Sequence, residues 1–215
     1  MTLATTNNSE LVFTPAARRE QAKRGSARSY ERKVAAGFPG LITPELAAFI
    51  AELDTVFLGT ASAAGAPYIQ HRGGPKGFVK VLDEHTLGFA DYAGNRQYIT
   101  LGNLTENDRA YLFLLDFAGR RRIKVWGRAR VVEDDPNLLE RLADPGYRAR
   151  PERAILFTVE AWDVNCPQHI TARFNESEIA DATASLRKRI ADLEAENATL
   201  RGVSNPASHE PLVLE

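Results

Sequence analysis

TVFLGTASAAGAPYIQHRGG, residues 55–74, decides the fold. Residues 56–60 read as a strand rich in strand-forming side chains. Ala63-Ala64-Gly65-Ala66 then supplies a turn, and 67–71 return as a second strand. The same pattern continues downstream, with strands expected at 78–82, 86–90, 110–117, 122–132 and 154–164 and turn signals between nearly all of them. Only one helix interrupts the run, around 96–104. Short antiparallel strands at this spacing imply a closed barrel and not alternating β-α-β units.

Upstream, Thr43-Pro44 is a helix start, with the hydroxyl as N-cap and proline at the first helical position. Leu46, Phe49, Ile50 and Leu53 then form one apolar face that carries the chain into a core. Residues 15–36 are rich in Arg, Lys, Glu and Ala and hold a single glycine, Gly25, so they read as one or two polar surface helices. A basic segment of this kind is compatible with nucleic acid, but a solvated helix lying on the barrel is the favoured reading.

Residues 179–201 carry a different period. With Thr183, Ile190 and Asn197 at heptad position a, Ile179, Leu186, Leu193 and Leu200 fall at d, a seam of about three heptads. At position g, Arg189 and Glu196 are each followed five residues later by an opposite charge at e, Glu194 and Arg201. That is the offset that pairs neighbouring strands of a parallel coiled coil, and a polar Asn197 at a favours two strands. A lone amphipathic helix on its own barrel needs the stripe but neither the charge offset nor the asparagine. The organisation expected is a helical extension over 1–40, a barrel over 41–174, the heptad helix over 175–202 and a flexible tail over 203–215.

The chain of 215 residues is 44% hydrophobic and 26% charged, enough for one well-buried core. Its net charge of −1 gives no global field toward nucleic acid or an anionic membrane. The polar start of the chain lacks a leader, and no apolar run reaches the roughly 18 residues of a membrane span, so a cytoplasmic, non-membrane protein is expected. Cys166 is the only cysteine and His71, His85, His169 and His209 show no paired spacing, so neither a disulfide nor a zinc site is expected.

Hydrolytic signatures are missing. Ser62 lacks the flanking glycines of a nucleophile elbow, and Gly73-Gly74-Pro75-Lys76-Gly77 matches neither the P-loop nor the dinucleotide fingerprint. In 91–97, directly after a strand, Asn95 is placed to cap the following helix while backbone N–H groups and Arg96 converge on an anion such as phosphate; an ordinary capped helix with a solvent-facing arginine fits as well. Trp126 is expected in the core and Cys166 is expected to be an inert buried thiol. Trp162 reads as a core aromatic and His169 as a partner for a backbone carbonyl.

Phe57-Leu-Gly-Thr-Ala-Ser, Gly65-Ala-Pro, Gln70-His71-Arg72-Gly73-Gly74, Gly94-Asn95-Arg96 and Ile123-Lys-Val-Trp-Gly-Arg-Ala, in that order, resemble the pyridoxamine 5'-phosphate oxidase-like family of FMN-binding split barrels. Asn165-Cys166-Pro167-Gln168-His169-Ile170 is similar to a subgroup of that family described as FMN-dependent enzymes. The resemblance spans about 38–174. It implies a six-stranded antiparallel split β-barrel that forms a homodimer, with FMN in each of two grooves between the subunits. It also implies that His71, Arg72, Gly73 and Gly74 border the flavin ring and that Asn95, Arg96 and Gln97 hold the phosphate, with help from Arg121 or Arg122. Trp162, Gln168 and His169 fall where the family's C-terminal segment reaches the partner's flavin. Gln97 stands where the oxidase tends to have a second basic residue, and the oxidase's substrate-phosphate cluster is not reproduced around Arg173. The activity implied is hydride transfer between a small substrate or nicotinamide and FMN. The rival readings are a non-catalytic flavin sensor or carrier, a relative that binds deazaflavin or haem, and a coiled-coil module without cofactor.

Overall fold

The computed structural model describes residues 7–203, and the chain divides into two units, Met1–Thr171 and Ala172–Glu215. The expected tail beyond 203 and the first six residues lie outside the described part. Unit one is built on seven strands: β1 Thr55–Ala61, β2 Pro67–Gly73, β3 Lys80–Val81, β4 Thr86–Tyr92, β5 Arg109–Asp116, β6 Arg121–Val132 and β7 Pro151–Asn165. They form one sheet in the order β2-β1-β5-β6-β7-β4-β3, antiparallel at every pairing. The expectation of a six-stranded closed barrel is corrected on both points. The strand expected at 78–82 pairs only through Lys80 and Val81, because Phe78 and Val79 turn into the core; β2 and β3 are left as the sheet's edges.

Period-2 alternation sets the core. Val56 and Leu58 of β1, Leu112 and Leu114 of β5 and Val125 of β6 are fully buried, while the residues between them face outward. The β1–β2 hairpin turns where Gly65, at φ +83°, donates its N–H to Ser62 O at 2.9 Å, and glycine takes that conformation without steric cost. Helix α4, Pro44–Ala51, starts as expected: Thr43 Oγ1 accepts from Leu46 N at 3.3 Å, and Leu46, Phe49 and Ile50 enter the core. Where β6 meets β7 the register shifts between Trp126 and Gly127; a Cβ on Gly127 would lie 2.0 Å from Thr158 O, so only glycine fits that bulge.

The N-terminal segment forms α1 Ser9–Val12, α2 Pro15–Lys23 and α3 Ala27–Ala36, in line with surface helices at 15–36. Asn8 clasps it to the sheet: its amide donates to Phe38 O at 2.9 Å and Glu160 O at 2.8 Å and its carbonyl accepts from Phe38 N at 2.7 Å. Lys33 adds an ion pair to Asp163 at 2.6 Å. Helix α5, Ile99–Glu106, follows β4, and a further helix, α6, Pro136–Leu142, covers a small cluster of Ala90, Ala154 and Leu156. Among the described residues no helix is long and apolar enough to cross a membrane, and no side-chain cluster is suited to hold a metal.

Unit two is dominated by α7, Glu176–Val203, 28 residues without a break. Its start is a capping box: Asn175 Oδ1 accepts from Glu178 N at 2.9 Å while Glu178 Oε2 accepts from Asn175 N at 2.9 Å.

Candidate functional site

Alternation along β2 sends neighbouring residues to different places. Gln70 and Arg72 enter a polar cleft of about 170 Å³, with Asp91 and Tyr92 of β4, the loop residues Gly94, Asn95, Arg96 and Tyr98, Thr100 and Leu101 of α5, and Glu152 and Arg153 of β7. Three guanidinium groups there face two carboxylates. Asp91, 5% exposed, is ion-paired to Arg72 and to Arg153 at 3.1 Å, so a buried carboxylate is held between two cations. Burial disfavours the charge on Arg153, but hydrogen bonds to Asp91 and Glu133 outweigh it and raise its affinity for the proton above the ordinary value. Its guanidinium also lies 5.7 Å from the centre of the Tyr98 ring. Thr100 Oγ1 donates to Gln70 Oε1 at 2.8 Å and ties α5 to β2.

Two features make the cleft receptive to an anion. Arg72 Nε is buried without a hydrogen-bond partner among the described residues, and Arg96 is exposed and makes no ion pair among them. The loop that carries Arg96 is also strained, with Arg96 at φ +57° and Tyr98 at φ +54°, a region that non-glycine residues seldom occupy and that clusters at functional sites. Asn95 does not cap the helix as expected. Its Oδ1 accepts from Gln97 N at 3.2 Å in a turn, and α5 begins only after Tyr98, whose left-handed backbone makes no side-chain cap.

His71, Gly73 and Gly74 face a second cleft, of about 580 Å³, with Asp54, Thr55, Pro75 and Tyr147. The two clefts adjoin: Tyr147 meets Tyr92 edge to face, ring centres 5.1 Å apart. The outward faces of β1, β2, β5 and β6 form a third concavity, an apolar groove of about 700 Å³ floored by Phe57, Ile69, Tyr111, Phe113 and Trp126 and edged by Leu11 of α1. Trp126 is thus corrected from core to groove, because it stands one residue out of phase with Ile123 and Val125. It packs edge to face on Tyr111 at 5.3 Å, and burial together with the charge of Asp163 pushes the Tyr111 phenol up to about 12.

The remaining expected residues line none of these concavities. Gln97 is exposed. Arg122 lies opposite Asn165 in the β6–β7 register, and the Asn165 amide oxygen, in its satisfied orientation, accepts from Nε at 2.9 Å and Nη2 at 3.1 Å. Arg121 is held by Asp116 at 2.8 Å. Trp162 packs against the core and its indole donates to Leu41 O at 2.8 Å. Gln168 and His169 are exposed in a turn closed by Ile170 N to Pro167 O, with His169 at φ +64°. Cys166, expected to be buried, is exposed, because it follows the end of β7.

Reading the sequence missed Asp91 and Arg153, the centre of the polar cleft. The signal was present as an aspartate inside the apolar run 87–92 and an arginine at the head of the apolar run 154–159, and the β4–β7 register sets the two opposite each other.

No curated protein matches the chain. Among solved structures, HupZ of Group A Streptococcus is 16% identical, covering 62% of this chain and 99% of its own, at a TM-score of 0.47. An FMN-binding protein of Syntrophomonas wolfei is 12% identical, covering 69% and 97%, at 0.47. HutZ, the haem storage protein of Vibrio cholerae, is 17% identical, covering 57% and 94%, at 0.40. A sequence profile described as pyridoxamine 5'-phosphate oxidase matches residues 42–166, from just before α4 to just past the end of β7 and so across every strand that bounds the two clefts. With more than half its length inside that profile, the chain belongs to the pyridoxamine 5'-phosphate oxidase family.

Proposed function

We propose that the chain is an FMN-binding flavoprotein, with the phosphate in the polar cleft and the ring against the His71–Gly74 end of β2, at a seam between two copies. The observation that carries this reading is Arg72 Nε, without a hydrogen-bond partner among the described residues, in a cleft that also presents Arg96, which makes no ion pair among them. A dianionic phosphate is held by such charge-assisted bonds. The residues present therefore fit the group, and the neighbouring cleft behind the Tyr92–Tyr147 pair leaves room for a ring system beside it.

FMN, when bound, supplies reversible hydride and electron transfer, and the protein contributes binding, orientation and electrostatics. Arg72 and Arg153 hold Asp91 in place from two sides, so the cleft wall stays fixed while Arg96 meets the incoming anion. As an edge strand, β2 leaves every second backbone N–H unused by the sheet, a row of donors for a ring lying along it. The activity that follows is oxidoreduction of a small substrate or a nicotinamide.

The test is titration of the purified chain with FMN and with riboflavin, which lacks the phosphate. FMN is expected to bind at one per chain and more tightly than riboflavin. Arg96→Glu is expected to cost roughly 10- to 100-fold in FMN affinity, the range of one charge-assisted hydrogen bond, and to leave riboflavin unchanged. Equal loss for both ligands, or no loss, overturns the phosphate assignment. The visible spectrum of the untreated protein separates flavin from deazaflavin and haem. Stoichiometric FMN that no donor reduces under anaerobic conditions makes the protein a carrier or sensor.

A further inference from the structure

Helix α7 leaves a stripe of apolar residues exposed. Ile179, Leu186, Ile190 and Leu193 are 51, 63, 56 and 45% exposed, and they fall at the a and d positions of one heptad register. Left unpaired, about 42 Å of helix at 1.5 Å per residue would hold this apolar stripe in water.

We propose that α7 pairs in parallel and in register with α7 of a second copy of this chain; the proposal stands independently of the flavin reading. Charge complementarity selects that occupant. Arg189 at g faces Glu194 at e of the other strand, and Glu196 at g faces Arg201, a match that a parallel in-register pair makes twice on each side. An antiparallel pair centred on Ile190 instead brings Arg189 close to Arg189. The polar a positions also suit a two-stranded seam. Thr183 donates its hydroxyl to Ile179 O at 2.8 Å within its own helix, so it can enter the seam with its methyl and no unsatisfied donor. Asn197 one heptad beyond Ile190 has its own counterpart as partner in a parallel pair, which fixes register. The exposed ion pair of Lys188 with Asp192, 2.9 Å, occupies positions f and c on the opposite face, where solvent is expected.

The experiment uses the full chain with Cys166→Ser and one added cysteine at a time. In a parallel in-register pair the two copies of position 183, and the two of position 197, approach within disulfide reach, a Cα separation of roughly 4.4–6.8 Å. Thr183→Cys and Asn197→Cys are therefore each expected to give covalent dimers under mild oxidation. The rate should exceed that of Lys188→Cys by about a hundredfold or more, reflecting an effective concentration near millimolar against a micromolar sample. Two outcomes overturn the proposal. One is crosslinking only when the 183 and 197 variants are mixed, which an antiparallel pair produces. The other is crosslinking at neither position above the Lys188→Cys rate, which holds whether or not the chain binds flavin or dimerises through the other unit.

Discussion

Strand β5 and helix α7 each carry large aliphatic residues at a regular period, and the period has opposite outcomes. Leu112 and Leu114 are fully buried by the rest of their own unit, whereas Leu186 and Ile190 are 63 and 56% exposed. Periodicity identifies a face that must be covered; it does not say by what. In the sheet the cover is the rest of the same unit, other strands together with helix α4 and Phe78. In α7 the proposed cover is a second copy, whose charges would complement those around the stripe.

The contrast is sharpest at Phe157, fully buried on β7. Phe157→Ala is expected to destabilise the sheet unit by about 3–5 kcal/mol, read from urea unfolding followed by tryptophan fluorescence, since both tryptophans lie in that unit. A loss under about 1 kcal/mol would mean that the core collapses to fill the cavity and is less rigid than its packing indicates. An intermediate effect is expected at Asn8→Ala, which removes three hydrogen bonds from the clasp to Phe38 and Glu160: about 1–3 kcal/mol, with proteolysis of the N-terminal helices as a second readout. If only the proteolysis changes, the N-terminal helices open independently of the sheet. The smallest effect is expected at Ile190→Ala, within about 0.5 kcal/mol on the tryptophan-reported transition in dilute solution. A loss there as large as that of Phe157→Ala would break the comparison, because the stripe would then be covered within one chain.

Much of the sheet was legible because turn signals set off strand-forming runs such as 110–117 and 122–132, and α4 because Thr43-Pro44 announces it. Helix α6 was passed over although Asp135-Pro136 carries the same kind of signal; Asp135 Oδ1 accepts from Leu138 N at 2.9 Å. The position of Trp126 could have been read from parity alone, since it falls between Val125 and Gly127 on an alternating strand, but a preference for burying tryptophan overrode the phase. The site was half legible. Asn95 and Arg96 came from a local motif and Arg72 from the family resemblance, and the three do share one cleft. Asp91 and Arg153 are 62 positions apart and meet only through strand pairing, which no local pattern encodes. Arg122 was expected near the phosphate, but pairing with Asn165 settles its environment instead.

Because β2 deals its residues alternately to two clefts, the identity of both rests on whether the residue count between the turn at 62–66 and Gly74 is odd or even. Adding one residue inside the strand exchanges the two sets, sending Arg72 to the face that carries His71 and Gly73 and stripping Asp91 of a partner, whereas the same residue added at the turn tip leaves both intact. Relatives and redesigned variants should therefore tolerate length changes in this hairpin at the tip and reject single insertions a few positions later, a tolerance map that a library of one-residue insertions would draw directly.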